Sequence, residues 1–345
     1  MLRYAGPECP DPSGQGVKVE IRVLRGTEVR QLLPMAECVD LMHRTMIAVS
    51  ERRVVLPLRS VMVMPGELGM LGNMPGYLAD PECFGVKLVS MIPRNKSTQY
   101  SSHLGMVLLF EAEHGCPVAL LDAGKITAIR TAAASGLATR LLARPDAGDL
   151  ALLGAGEQAQ SHLEAMLAVR TLRRVRVWAR DRDKAAAFAR TEGERHGIVI
   201  ETAATVPQAV AGADIICTVT RARDPVLLGE QIAPGAHLNV VGSSIAATAE
   251  IDTPAVVKSR FFVDYRESTV NEGGEYLRAL KAGAITPQHI LAEIGEVANG
   301  SKTGRLAPSD VTLYKSLGIA PQDLASAHYV LERARAAGVG QVVDF

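Results

Sequence analysis

Aromatic side chains are scarce in this chain: Phe, Tyr and Trp together make up 4%, with a single Trp. That leaves little material for the stacking platforms that bind single-stranded nucleic acid. Net charge is missing as well. Thirty-seven Lys and Arg balance 37 Asp and Glu, so no basic field marks a nucleic-acid partner. The five cysteines (Cys9, Cys38, Cys83, Cys116 and Cys217) include no CxxC pair. This argues against zinc knuckles and redox dithiols, and no metal site is expected. Thiols in odd number and without pattern fit a reduced, cytoplasmic setting. No uninterrupted apolar run is long enough to span a bilayer. The first residues, MLRYAGPECPDPSGQG, lack the apolar core of a signal peptide and read as a loose tail. Internal repeats and low-complexity segments are absent.

What is present fits a soluble globular protein of two domains: 345 residues, 48% hydrophobic and 21% charged. Residues 17–55 read as a strand, VKVEIRVL, and a helix, MAECVDLMHRTMIAVSE, with Val39, Met42, Met46 and Val49 at helical spacing. From Val54 to Leu121, β-rich pieces (RSVMVM, GMLGNMP, FGVKLVSMI, GMVLLFEA, PVALLDA) alternate with Gly, Pro and Asn, the text of a mixed or antiparallel sheet. An Ala-rich helix, ITAIRTAAASGLATRLLAR, follows and is stopped by Pro145, Asp146 and Gly148. Six strand candidates then alternate with helices: DLALLG, VRVWA, GIVIE, ADIICTVT, HLNVVG and RFFVDY. Such alternation predicts an α/β fold with a doubly wound parallel sheet. The tail, DVTLYKSLGIAPQDLASAHYVLERARAAG, is expected to be mostly helix, returning to the first domain so that a cleft forms between the two.

The turn Gly154-Ala155-Gly156-Glu157-Gln158-Ala159 fits G-x-G-x-x-G/A between a strand and a helix. That context makes it a dinucleotide-binding turn. Gly154 makes the tight turn, Gly156 admits the pyrophosphate, and Ala159 lets the helix approach the strand. The helix N-terminus offers N–H groups and positive dipole to the phosphates. The next strand ends in Ala179-Arg180-Asp181-Arg182. Arginine at this place accommodates a 2′-phosphate, so NADP(H) is preferred; Asp181 leaves NAD(H) open, and the charges can also be read as a solvated turn.

Three cations interrupt apolar or tightly turned text: Arg59 in VVLPLRSVMV, Lys87 in CFGVKLVSMI and Arg130 in ITAIRTAAAS. A charge there is costly to bury unless paired. Arg can fork a carboxylate, and a buried Lys can exchange a proton; each can equally be a snorkelling surface residue or a satisfied ion pair.

The run KITAIRTAAASGLATRLLARPDAGDLALLGAGEQAQSHLEAM resembles the ornithine cyclodeaminase/μ-crystallin family. So do FGVKLVSMIPRN, GMVLLFEAEHGCPVALLDA, LNVVGSS and DVTLYKSLGIAPQDLASAH, in family order from about Arg59 to Tyr329. The resemblance implies a Rossmann domain, here residues 144–319. It also implies a mixed α+β substrate-binding and dimerisation domain, residues 1–143 and 320–345, that pairs two subunits into a homodimer. It places Arg59, Lys87 and Arg130 against the substrate carboxylate, with Ser244 and Gly318 lining the substrate. It assigns Thr131, Thr218, Val219, Gly242, Ser243 and Ser316 to the cofactor beside the glycine turn. The segment Lys315-Ser316-Leu317-Gly318 corresponds to the part that closes over the nicotinamide.

Members that resemble ornithine and lysine cyclodeaminases carry V-G-(G/A)-D, whose Asp acts at the distal amine. Here Val241-Gly242-Ser243-Ser244 puts Ser244 in that place, and a Ser hydroxyl is a far weaker base. The departure points to NAD(P)H-dependent reduction of cyclic imino acids of the Δ1-pyrroline-2-carboxylate or Δ1-piperideine-2-carboxylate class. Arg59 and Arg130 then clamp the carboxylate, and Lys87 or a water it holds keeps the imine protonated. The alternatives are an ornithine cyclodeaminase recycling NAD, an L-alanine-type dehydrogenase, and an NADPH-bound binding protein of the μ-crystallin kind. His103 is a further candidate proton carrier by residue type, and can equally be read as a satisfied structural histidine.

Overall fold

The computed structural model describes residues 19–101 and 103–345, with the side chains at 67, 96, 97 and 103 outside the described set. The loose tail expected at 1–16, Cys9 and the side chain of His103 lie outside the described residues.

The first half of the chain builds β1 (Glu20–Leu24), α1 (Gly26–Leu32) and α2 (Met35–Ser50). It continues with β2 (Val54–Val55), β3 (Ser60–Met64), β4 (Gly69–Ala79), β5 (Glu82–Met91), β6 (His103–Phe110) and β7 (Pro117–Asp122). Strands β4 to β7 form an antiparallel meander; β1 pairs β7 in parallel, and β3 pairs β4. In β5, Cys83, Gly85 and Lys87 are buried while their neighbours are only partly so, as the two-residue period of a strand dictates. Lys87 thus faces the helical layer. On β6, Val107 and Leu109 are buried, whereas Leu104 and Met106 are exposed, together with Val61, Met62 and Val63 of β3.

Helix α3 (Ala123–Leu142) follows, started by Asp122, whose carboxylate accepts the Lys125 N–H at 2.7 Å. Nearly every side chain of α3 is buried, because it lies in the middle of the molecule and contacts α1, α2, α4, β6 and β12. Its run of Ala, Ser and Gly lets these neighbours approach closely on several sides.

The second half runs β8 (Asp149–Leu153), α4 (Glu157–Val169), β9 (Arg174–Trp178), α5 (Arg182–His196), β10 (Ile200–Thr202), α6 (Val206–Val210), β11 (Ile215–Thr218) and β12 (His237–Val240). After these come α7 (Thr253–Lys258), β13 (Ser259–Val263), α8 (Arg266–Glu272), α9 (Gly274–Lys281), β14 (Ile290–Glu293), α10 (Ile294–Ala298) and β15 (Val311–Lys315). The parallel sheet has the order β10-β9-β8-β11-β12-β15-β13-β14. The order reverses between β8 and β11, which opens a crevice at their C-terminal ends.

Two expectations are corrected. VTLYK, read as part of a helical tail, is strand β15, fully buried between β12 and β13. Its β-branched and aromatic residues suit a strand covered on both faces. The sheet therefore has eight strands rather than six, and RFFVDY does not pair with HLNVVG. The rest of the tail is α11 (Ala320–Ala337), which packs on β4, β5, β6, α2 and α3 of the first half before β16 (Gln341–Asp344) pairs β1. One apolar core lies between the first sheet and α2, α3 and α11; two others cover the faces of the second sheet. Among the described residues no helix is long and apolar enough to cross a membrane.

Candidate active site

The crevice begins where β8 ends. Gly154 adopts φ +126°, and a Cβ there would lie 2.6 Å from the Val219 carbonyl oxygen. Only glycine allows β8 and β11 to approach so closely at this turn. Gly156 caps α4 with no side chain over the first-turn N–H groups, leaving them open to an anion. Ala155 is half-buried and Ala159 is buried against β8. Thr131 Oγ1 and Gln158 Oε1 are buried without a hydrogen-bond partner among the described residues, and Ser316 is buried nearby on the strand-to-loop exit of β15. Buried polar atoms without partners are rare. With the open N–H groups of α4 and the glycine turn, these unpartnered polar atoms fit a dinucleotide. Glu157 turns outward into an ion pair with Lys125.

At the end of β9, Arg180 and Arg182 are exposed and form no ion pair among the described residues. Asp181 is differently placed: its carboxylate caps α5, accepting from the N–H groups of Asp183 and Lys184 at 3.1 and 3.2 Å.

The loops after β11 and β12 are tied together by buried carboxylates that the sequence did not single out. Glu250 accepts from Thr218 Oγ1, the Thr220 N–H and the Gly242 N–H at 2.8, 2.6 and 2.6 Å. Desolvation raises its pKa, against the pull of these hydrogen bonds. Lys315, with no exposed side-chain surface, pairs Glu275 at 2.9 Å and donates to the Ser243 carbonyl at 2.6 Å. The Ser243 hydroxyl donates to Glu275, so this side chain points into the protein. Val219 donates its N–H to Leu153 O at 2.9 Å, and Ser244 is half-buried beside the loop.

Beyond the crevice stands a buried charge cluster. Lys87 Nζ lies 2.7 Å from Asp323 Oδ2 and 3.4 Å from Thr127 Oγ1. Arg130 Nε donates to Asp323 Oδ1 at 2.9 Å, and Nη1 donates to Gln322 Oε1 at 2.7 Å. The Lys87 and Arg130 side chains are each 4% exposed and Asp323 is fully buried. Burial pushes Lys87 down to about 8; Asp323 opposes this, while Arg130 and Arg59 add to it. Gly318, at φ +79°, lies against the guanidinium: a Cβ would come within 2.7 Å of both Arg130 Nη1 and Nη2. The backbone there is held by Asp264, which accepts the N–H groups of Leu317 and Gly318 at 2.7 Å each. Arg59 sits further out. Its Nε and Nη2 meet Glu272 Oε2 at 2.9 and 2.8 Å, and Nη2 also donates to Leu317 O at 3.2 Å.

The structure thus brings Lys87 and Arg130 onto one carboxylate and keeps Arg59 on a different one. Arg59 Nη1, Arg130 Nη2 and one Lys87 proton make no hydrogen bond among the described residues. Three donors left over in a pre-organised cationic cluster can receive one carboxylate. Asp323, Gln322 and Glu272 were missed in the sequence. The signal available was an Asp inside the otherwise apolar run IAPQDLASA. Among the described residues no group of His, Cys, Asp and Glu could hold a metal ion.

The model of the ornithine cyclodeaminase/mu-crystallin family matches residues 19–338. The chain is 35% identical to a Delta(1)-pyrroline-2-carboxylate reductase of Bacillus cereus over 94% of this chain and 99% of that one. It is 38% identical to the ketimine reductase mu-crystallin of Mus musculus over 81% and 85%. Among solved structures, the Thermococcus litoralis Delta(1)-pyrroline-2-carboxylate reductase in complex with NADH and L-proline superposes with a TM-score of 0.90, at 35% identity, over 93% of this chain and 99% of that one.

Proposed function

The chain belongs to the ornithine cyclodeaminase/mu-crystallin family, and from that membership we propose that it is a nicotinamide-dependent reductase of cyclic imino acids. Substrates of the Δ1-pyrroline-2-carboxylate or Δ1-piperideine-2-carboxylate class become L-proline- or L-pipecolate-type amino acids. The observation that carries this reading is the Lys87–Asp323–Arg130 cluster with its uncommitted donors. Arg130 and Lys87 hold the substrate carboxylate from below, and Arg59 contributes its Nη1 from the rim. Held so, the C=N carbon has one orientation, and positioning supplies most of the rate. The bound nicotinamide supplies the hydride. Lys87, poised near pH 8, keeps the imine nitrogen protonated directly or through a water. Ser244 brings no carboxylate to the place where a distal amine would need one, which favours reduction over cyclodeamination.

The preferred cofactor is NADPH. Arg180 and Arg182 are available to a 2′-phosphate, whereas Asp181 is committed to capping α5 and is a poor partner for a ribose 2′-OH. The reading includes a second copy of the chain. The exposed Met62, Leu104 and Met106 lie on the face of the first sheet away from its helices, with Val61 and Val63 exposed on the other face of β3, and these apolar side chains suit a homodimer interface.

The test is a substrate panel followed by nicotinamide absorbance. NADPH is expected to be consumed with at least one of the two cyclic imines, and more efficiently than NADH. Formation of proline from ornithine with catalytic NAD, without NADPH consumption on either imine, sinks the proposal.

A further inference from the structure

Arg59 is the one candidate substrate cation that does not share Asp323. It precedes β3 in the first half of the chain, and Glu272 reaches it from the last residue of α8 in the second. Both contacts fall on one oxygen: Nε and Nη2 meet Oε2 at 2.9 and 2.8 Å. The pair is partly exposed, 17% and 21%, where Lys87 and Arg130 are 4%. It therefore forms the outer edge of the site, and the Lys87–Asp323–Arg130 cluster forms the floor.

Glu272 is firmly placed. Three residues on, Glu275 is anchored in the interior by Lys315 at 2.9 Å and by the Glu250 N–H at 2.9 Å. The intervening Gly273 N–H is held by Thr269 O at 2.9 Å, so α8 ends where its own last turn fixes it. Asp264 adds a further negative charge next to Leu317, whose carbonyl also meets Arg59.

The charges of floor and rim differ in consequence. On the floor, two cations share one carboxylate, and the excess positive charge suits one substrate carboxylate. On the rim, Glu272 occupies the Nε edge of Arg59 and leaves Nη1 to the first carboxylate, so a second carboxylate arriving there finds no free edge and meets the Glu272 carboxylate. Selectivity built by a repulsive element is a general device.

We propose that Glu272 is a specificity-determining residue: by holding the Nε edge of Arg59, it restricts the site to imino acids with a single carboxylate and rejects those with two. The proposal rests on the imine-reductase reading above and deepens it to a substrate charge class. Were Glu272 neutral, Arg59 would be released to bind a second carboxylate.

The experiment is isothermal titration of the NADP⁺-loaded enzyme with pyrrole-2-carboxylate and pyrrole-2,5-dicarboxylate, planar ring analogues carrying one and two carboxylates. Wild type is compared with Glu272→Gln, Glu272→Ser and Glu272→Asp. The ratio of dissociation constants, dicarboxylate over monocarboxylate, is expected to fall at least about threefold in both neutral variants, the fold-change expected when a like charge is removed from a partly exposed site. Glu272→Asp is expected to keep the wild-type ratio. A smaller fall in the neutral variants overturns the assignment of Glu272 and leaves the reductase reading intact. Failure of the wild type to bind pyrrole-2-carboxylate overturns the reductase reading and this assignment with it.

Discussion

The dinucleotide crevice is shaped by backbone, whereas the charge cluster beside it is made of side chains. In the crevice, the glycine turn between β8 and α4 presents N–H groups, and the positive φ of Gly154 makes its closeness to Val219 feasible. The fully buried ion pair there, Lys315–Glu275, ties the loop after β12. The cluster assembles Lys87 from β5, Arg130 from α3 and Asp323 from α11, with Arg130 and Asp323 lying 193 positions apart. Its charges are costly to bury and persist because each cation has an acceptor and Asp323 serves two of them. A contiguous backbone site depends on local geometry. A dispersed side-chain site depends on three elements meeting, so one truncation there disturbs the partners too.

That contrast can be broken most directly by Arg130→Ala. Turnover of the cyclic imine is expected to fall about 10²–10³-fold, the range for deleting one pre-organised charge-stabilising group. NADPH binding, followed by its fluorescence, is expected to stay close to wild type because the crevice does not use the guanidinium. Parallel losses in both readouts would show that the two regions are one unit.

Asp323→Asn sharpens the comparison through pH. Lys87 is held near 8, cationic below that pH and neutral above it. If protonated Lys87 is required, kcat/KM falls as pH rises through about 8. Asp323 favours the charged form, so its neutralisation lowers the Lys87 pKa further and moves the falling limb to lower pH. A limb that stays in place, or moves up, removes Lys87 as the titrating group.

Arg180→Ala is the mildest change, since the side chain is exposed just after β9. It should weaken NADPH about tenfold and leave NADH unchanged, the loss of one exposed phosphate contact. Equal weakening of both cofactors would contradict the 2′-phosphate assignment.

The glycine turn, helix α4 and the alternation that makes the parallel sheet were legible because each is written in consecutive residues. Arg59, Lys87 and Arg130 stood out as cations in apolar or turned text, and the structure buries the latter two. Asp323 was not legible. An acidic residue in the first turn of a helix is ordinary, and its burial depends on β5 and α3 arriving from elsewhere. VTLYK reads as part of the helical tail because it is short and stands next to the long pattern of α11; its strand state comes from the hydrogen bonds of β12 and β13.

By itself, the sequence determined the periodicities, the glycine turn with its helix, and the absence of an acid at Ser244, since these are properties of local chemistry. Tertiary structure decided which charges meet: Asp323 with Lys87 and Arg130, Glu272 with Arg59, Asp181 with its own helix. The physical reason is that a side chain's electrostatics depend on desolvation and on neighbours within a few ångströms, and those neighbours are chosen by packing rather than by position along the chain.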